Sequence, residues 1–324
     1  MMHWHCVSAS YLILHFLLPG FYGFTKVLVP AIYREFDDTP MPDVYANASF
    51  MEARNYSVFL YQRTDPTKAN YIRNRGTEGA VYLRYIVDHY YTYPDVAVFV
   101  HAHSMDHTRI ATEEHLGNIM GCLAPEARHQ YASLNSKSLQ VCRNPSAWPF
   151  PQWVEQCWRD ALKIVLNDTK QIAAWIPPKK EITTCSYLSQ QFLLGREMML
   201  MRPLIVYKEL LKIVNEQDVC HEGEPDYDIL YHSEPRLGPE HSAIDTTKFG
   251  TMEPSKWSEG KGQGHGAHIQ GGMMEHLAHV IFGSHGLIGY DREKKTYCGA
   301  YYDKCTDFNQ RQECPVELSQ QMPS

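Results

Sequence analysis

The pentapeptide VAVFV, Val96 to Val100, restricts the fold more than any other stretch of the chain. An unbroken apolar run rich in β-branched residues leaves no polar face, so a strand made from it must be covered on both sides. Ahead of it, Val81, Leu83, Ile86, Val87 and Tyr90 recur at helical spacing and predict an amphipathic helix over Thr77–Tyr91. Tyr93-Pro94-Asp95 ends that helix, because a proline keeps its predecessor out of the helical region. Upstream, YSVFLY (56–61) has strand composition and is followed by the turn-rich loop DPTKANYIRNRGTEG. Strand, loop, helix, strand is a βαβ-like order. It predicts an α/β fold with a mostly parallel central sheet flanked by helices.

Further along, PQWVEQCWRDALKIVL (151–166) is a second helix with Pro151 in its first turn, and RPLIVYKELLKIV (202–214) is a third. Between them, ITTCSYLSQQFLLG is either another strand or an irregular loop. Residues 215–272 lose all periodicity and read as a long loop or insertion, where His232, His241, His265 and His268 are candidate metal ligands against a solvated low-complexity loop. A short helix follows in GGMMEHLAHVIFG. The expected organisation is one α/β domain over 33–290 and a cysteine-containing tail over 291–324.

Residues 1–32 are expected to be a signal anchor or signal peptide. Cys6 to Thr25 contains no Lys, Arg, Asp or Glu and is long enough to span a bilayer as a helix, although Pro19 and Gly20 interrupt it. The alternative is a buried core segment. Sequons at Asn47, Asn55 and Asn167 fit a luminal domain carrying glycans. These features place the chain in the secretory pathway, in the Golgi or ER membrane, with secretion as the alternative. The nine cysteines form no CxxC pair, which argues against a zinc ribbon. In an oxidising compartment most would form disulfides. A net charge of −7 without a basic run gives no footprint for nucleic acid.

The chemistry is concentrated where the buried strand ends, in VFVHAHSMDH. His101 and His103 are two apart, so on extended backbone they share a side, and Asp106 and His107 follow closely. Imidazole and carboxylate together suit Mn²⁺ or Zn²⁺ better than Mg²⁺. The plainer reading is a polar strand end whose histidines bond to neighbouring loops. The second candidate is NRGTEG, where Asn74 caps the helix, Gly76 admits a close backbone approach and Glu78 stands in the first turn. The exposed N–H groups of a helix start favour an anion such as phosphate.

NRGTEGAVYLRYIVDHYYTYPDVAVFVHAH resembles the signature of the family known as domain of unknown function 3431, through Asn74, Gly76, Glu78, Tyr82, Leu83, Tyr85, Ile86, Pro94, Asp95 and His101. Two later blocks resemble it as well: QFLLGREMMLMRPLIVYKELLKIV, and EHLAHVIFG, with His279 near the family's aromatic or histidine position. The block order is similar to that of nucleotide-sugar glycosyltransferases of the GT-A type. That resemblance implies a Rossmann-like domain with KVLVPAIYRE as first strand. It implies a divalent metal held by His101, His103, Asp106 and His107, with a nucleotide-sugar or glycan substrate. Asn74, Gly76, Glu78, Gln191, Arg196 and His279 would line the donor pocket, and Glu275 would be the base that deprotonates an acceptor hydroxyl. A true Asp-x-Asp is absent, and the expected Trp is Leu277 or Ala278. Two other readings stand beside this one: a metal-dependent hydrolase using His101-x-His103, and a secretory-pathway binding protein without turnover.

Overall fold

VAVFV becomes the middle of a five-stranded sheet in the computed structural model of the chain. The residues described are 23–33, 35–73, 77–104, 110, 112–134, 140–143, 152–166, 184–187, 190–216, 274, 277–278, 280–282, 290–291 and 296–297. In chain order the main elements are β1 (Lys26–Ala31), α1 (Asp43–Ala46), α2 (Ala48–Glu52), β2 (Ser57–Val58), α3 (Thr77–His89), β3 (Val96–His101), α4 (Glu113–Cys122) and β4 (Tyr131–Ser133). There follow β5 (Gln140–Arg143), α5 (Gln152–Leu166), β6 (Thr184–Tyr187), β7 (Phe192–Gly195), α6 (Arg196–Leu200) and α7 (Leu204–Leu211). Among the described residues no helix is long and apolar enough to cross a membrane.

The sheet order is β2-β1-β3-β7-β4. β1 runs parallel to β2 and β3, with Lys26 opposite Val96 and Ala31 opposite His101. β7 runs antiparallel to both β3 and β4. The sheet is therefore mixed, which corrects the expectation of a mostly parallel one. The apolar run of β3 demanded cover on both faces and carried no information about its neighbour's direction. FLLG is a strand, as one of its two readings had it, and it enters the sheet reversed.

Side-chain alternation divides the core into two layers. Val96, Val98 and Val100 of β3 join Leu28, Tyr45, Leu116 and Met120 beneath α1 and α4. Ala97 and Phe99 join Tyr82, Ile86, Leu162, Phe192 and Phe282 beneath α3 and α5. The first of these helices carries the expected stripe, and its inner face is fully buried. YSVFLY pairs only through Ser57 and Val58, because its tyrosines bond elsewhere: Tyr56 Oη donates to Val44 O at 2.9 Å and Tyr61 Oη to Asp88 Oδ2 at 2.8 Å. Pro30 sits in β1 beyond the point where β2 stops, so its missing N–H breaks no bond to that neighbour. The predicted third helix is helical over Leu204–Leu211 and widens into a π-turn over Lys212–Glu216.

The amino ends of β1 and β3 are clasped together. Thr25 donates its backbone N–H to Asp95 Oδ2 at 2.9 Å and its hydroxyl to the same oxygen at 3.0 Å, while Asp95 N–H donates to Thr25 Oγ1 at 2.9 Å. Arg128 adds an ion pair to Asp95 at 3.2 Å. The Pro94-Asp95 pair in the sequence thus has a structural role, in which Pro94 ends the turn after α3 and Asp95 locks the first strand to the third. Next along β1, the buried Lys26 ammonium donates to Met120 O at 2.6 Å, Arg54 O at 3.0 Å and, more weakly, Gly121 O at 3.4 Å. It thereby satisfies carbonyls at the carboxyl end of α4, where a cation is favoured. Burial lowers its pKa.

Candidate functional site

The site follows from strand order. From β1 the chain crosses one face of the sheet, through α1 and α2, to reach β2. From β2 it crosses the other face, through α3, to reach β3 on the opposite side of β1. β1 and β3 are adjacent parallel strands whose outgoing chains lead to α1 and α4 on one face while α3 covers the other, and in α/β sheets ligands bind in the crevice beyond the carboxyl ends of the strands. His101, the last residue of β3, stands opposite Ala31 at the mouth of this crevice.

The backbone of the strand end is held from two directions. His101 N–H donates to Gln191 Oε1 at 3.1 Å, and Gln191 is fully buried just before β7. From the other face Tyr45 Oη bonds to the carbonyls of His101 and Ala102, each at 3.2 Å. Burial raises the Tyr45 phenol, so it stays a hydroxyl donor here. The imidazole of His101 projects toward the first turn of α3. Its Nε2 lies 4.0 Å from Glu78 Oε1, with the two side chains 18% and 32% exposed. At that distance they are neighbours without a hydrogen bond. Nε2 is buried and has no hydrogen-bond partner among the described residues. The ring nitrogen and the carboxylate thus stand side by side at the crevice mouth.

Gly79 fixes how closely α3 approaches. A Cβ at this position would stand 2.8 Å from Gln190 Oε1 and 2.9 Å from Met274 Cγ. The first turn of α3, which carries Glu78, is thus pressed against the segment leading into β7, the segment that also supplies Gln191.

The structure brings Glu78, His101 and Gln191 together. His103 has different neighbours: its ring meets Phe36 edge-on at 5.5 Å between centroids, and Phe36 in turn lies 6.3 Å from Tyr45. β3 stops at His101, so the alternation that would give the two histidines a common side no longer governs His103. Arg196 is at the other end of the sheet. Its guanidinium donates to Tyr93 O and its N–H to Asp95 O at 2.9 Å, so it braces the turn into β3 about one strand length from the crevice. Asn74, Gly76, Asp106, His107, Glu275 and His279 lie outside the described residues. Met274, next in the chain to Glu275, is the residue against Gly79. Among the described residues no group of three or more His, Cys, Asp and Glu side chains gathers as metal ligands would. Tyr45, Phe36 and Gln190 were not singled out in the sequence. Only Gly79 had a local signal, a glycine in the first turn of a helix that otherwise favours larger residues.

The fold defines an α/β protein whose candidate site lies at the carboxyl ends of two adjacent parallel strands. The family described as "Protein of unknown function (DUF3431)" matches residues 44–227, more than half of the chain, and the protein belongs to that family. The block around Glu275 lies beyond the matched span. No curated protein and no solved structure matches the chain.

Proposed function

We propose that the protein is glycosyltransferase-like and takes a nucleotide-sugar donor into the crevice at the ends of β1 and β3. The observation that carries this reading is the His101–Glu78 pair, with its orphaned Nε2 and 4.0 Å gap, beside the amino end of α3. A diphosphate is bound by ring N–H groups and by the N–H groups of a helix start, and in this reading His101 and the amino end of α3 supply them. Glu78 accepts from a sugar or ribose hydroxyl or holds a cation. Gln191 and Tyr45 act on the site by fixing the backbone that carries His101.

Imidazole and carboxylate are the donor types for Mn²⁺ or Zn²⁺. The described residues contribute two such donors, so His103, Asp106 and His107 are the residues that would complete the set. When bound, such an ion neutralises charge on a leaving diphosphate. Glu275 is the proposed base for the acceptor hydroxyl, and its neighbour Met274 packs at the start of α3.

The test is calorimetric titration of the protein with UDP and GDP, with and without Mn²⁺, repeated on His101→Ala and Glu78→Gln. Nucleotide affinity that falls tenfold or more in His101→Ala, about 1.4 kcal/mol, is the expected result. Nucleotide binding that survives both substitutions unchanged would overturn the site. Zinc retained through purification with no nucleotide binding would favour metal-dependent hydrolysis. Absence of both would leave a binding protein.

A further inference from the structure

The exposed large hydrophobic side chains among the described residues are Tyr91, Leu200, Met201 and Ile205, at 85%, 48%, 51% and 57% exposure. They are far apart in sequence and close together in the fold. Tyr91 follows α3, Leu200 and Met201 end α6, and Ile205 begins α7. The two groups are joined where Tyr90, ring to ring with Tyr91 at 5.2 Å, donates its hydroxyl to Arg202 O at 2.8 Å. This is the amino end of β3, because α3 runs antiparallel to that strand and Gly195, which precedes α6, stands opposite Val96. Clustered apolar exposure of this kind marks an interaction surface.

The path of the N-terminal chain says what covers it. The uncharged run Cys6–Thr25 ends at the residue clasped to Asp95, and Asp95 O accepts the N–H that opens α6. Phe24 already packs against the core. Gly23 to Thr25 reach about 10 Å when fully extended, so no spacer separates the run from the sheet. A run of that length and composition seated in a bilayer holds the amino end of the sheet at the membrane surface.

We propose that the amino-end patch of Tyr91, Leu200, Met201 and Ile205 rests on a lipid bilayer that holds the part of the uncharged run ahead of Gly23. Tyr91 is the interfacial aromatic, with its ring at headgroup level, and the three aliphatic side chains enter the boundary beneath it. The His101–Glu78 crevice then opens away from the membrane, at least a strand length above it. The inference rests on the membrane reading of the N-terminal run and is independent of what the crevice binds.

The test uses the full chain in phosphatidylcholine vesicles, with and without bromine on the acyl chains. Tyr91→Trp places a probe in the patch, and Thr39→Trp places one on the exposed loop beyond the carboxyl end of β1. Each is read as the difference from wild type, which has six tryptophans of its own. Loss of most of the added emission from the Tyr91→Trp probe in brominated vesicles, with the Thr39→Trp probe unquenched, is the expected result. A Tyr91→Trp probe quenched by aqueous iodide and untouched by bromine would overturn the proposal. A Tyr91→Trp probe shielded from both quenchers would overturn it as well, in favour of a patch covered by the chain's own Cys6–Thr25. Failure of nucleotide binding would leave this outcome unaffected.

Discussion

Replacing Gly79 with alanine separates two opposing effects whose sizes can be set against each other. At an open helical position Gly→Ala stabilises by about 1 kcal/mol, through helix propensity. At position 79 the added carbon stands 2.8 Å from Gln190 Oε1 and 2.9 Å from Met274 Cγ, inside the roughly 3.5–4.0 Å at which such atoms attract. Both neighbours are buried and have little room to withdraw. Overpacking a filled core costs about 1–3 kcal/mol. The sum is a net loss of about 0–2 kcal/mol, against the gain that propensity alone dictates. Gly121 is the control: its Cβ would meet nothing nearer than Arg54 Cγ at 3.5 Å, so Gly121→Ala should gain a few tenths to about 1 kcal/mol. Urea unfolding midpoints of the two variants, compared at constant slope, measure the difference. If Gly79→Ala is stabilised as much as Gly121→Ala, the close approach of α3 to the β7 lead-in is wrong, and with it the placement of Glu78 beside His101.

Two further outcomes follow from buried polar groups. Lys26→Met leaves the Met120 and Arg54 carbonyls without their ammonium donor and should cost about 1–3 kcal/mol, read as a lower urea midpoint. Between its lowered pKa and the ordinary 10.5 the unfolded chain binds more protons at Lys26 than the folded one. Its contribution to stability therefore rises with pH across that window, and Lys26→Met should abolish the rise. The phenols of Tyr45, Tyr61, Tyr85, Tyr131 and Tyr207 are raised by burial, and Tyr56 is pushed up to about 12. Groups raised in this way contribute stability that is whole below pH 10 and lost as pH climbs through their folded-state values. Phenolate absorbance followed alongside circular dichroism should show a final phase of tyrosine ionisation coinciding with unfolding, and ionisation that is complete while the chain is still folded would refute it.

What the sequence revealed depended on whether the physics was local. The helix at 77–89 and the strand at 96–101 were legible because burial on one stripe or on both faces leaves a period in the chain. Strand direction has no such trace, so FLLG was open between strand and loop, and its reversal emerged only from the pairing of Phe99 with Phe192. YSVFLY holds the expected strand only over Ser57 and Val58, because its tyrosines serve buried hydrogen bonds as much as a ladder. At the site, His101 and Glu78 were visible as residue types at a strand end and a helix start. Gln191 entered only through family resemblance, and Tyr45 went unseen, since each acts on a strand end distant in the chain. Arg196 entered by the same resemblance, and its partners at Tyr93 and Asp95 put it at the opposite end.

The interior position of β1 also sets an order of events during synthesis. Among the described strands it is the first to leave the ribosome, its β2 partner covers only Val27 and Leu28, and its long partner β3 lies 70 residues further on. At about 5–20 residues per second that partner is roughly 4–14 s away, and β7 comes later still. Throughout that interval β1 presents an unpaired apolar edge, the kind of surface that draws wrong partners. A chaperone that holds nascent β-edges is what such a chain needs in the first seconds of its life.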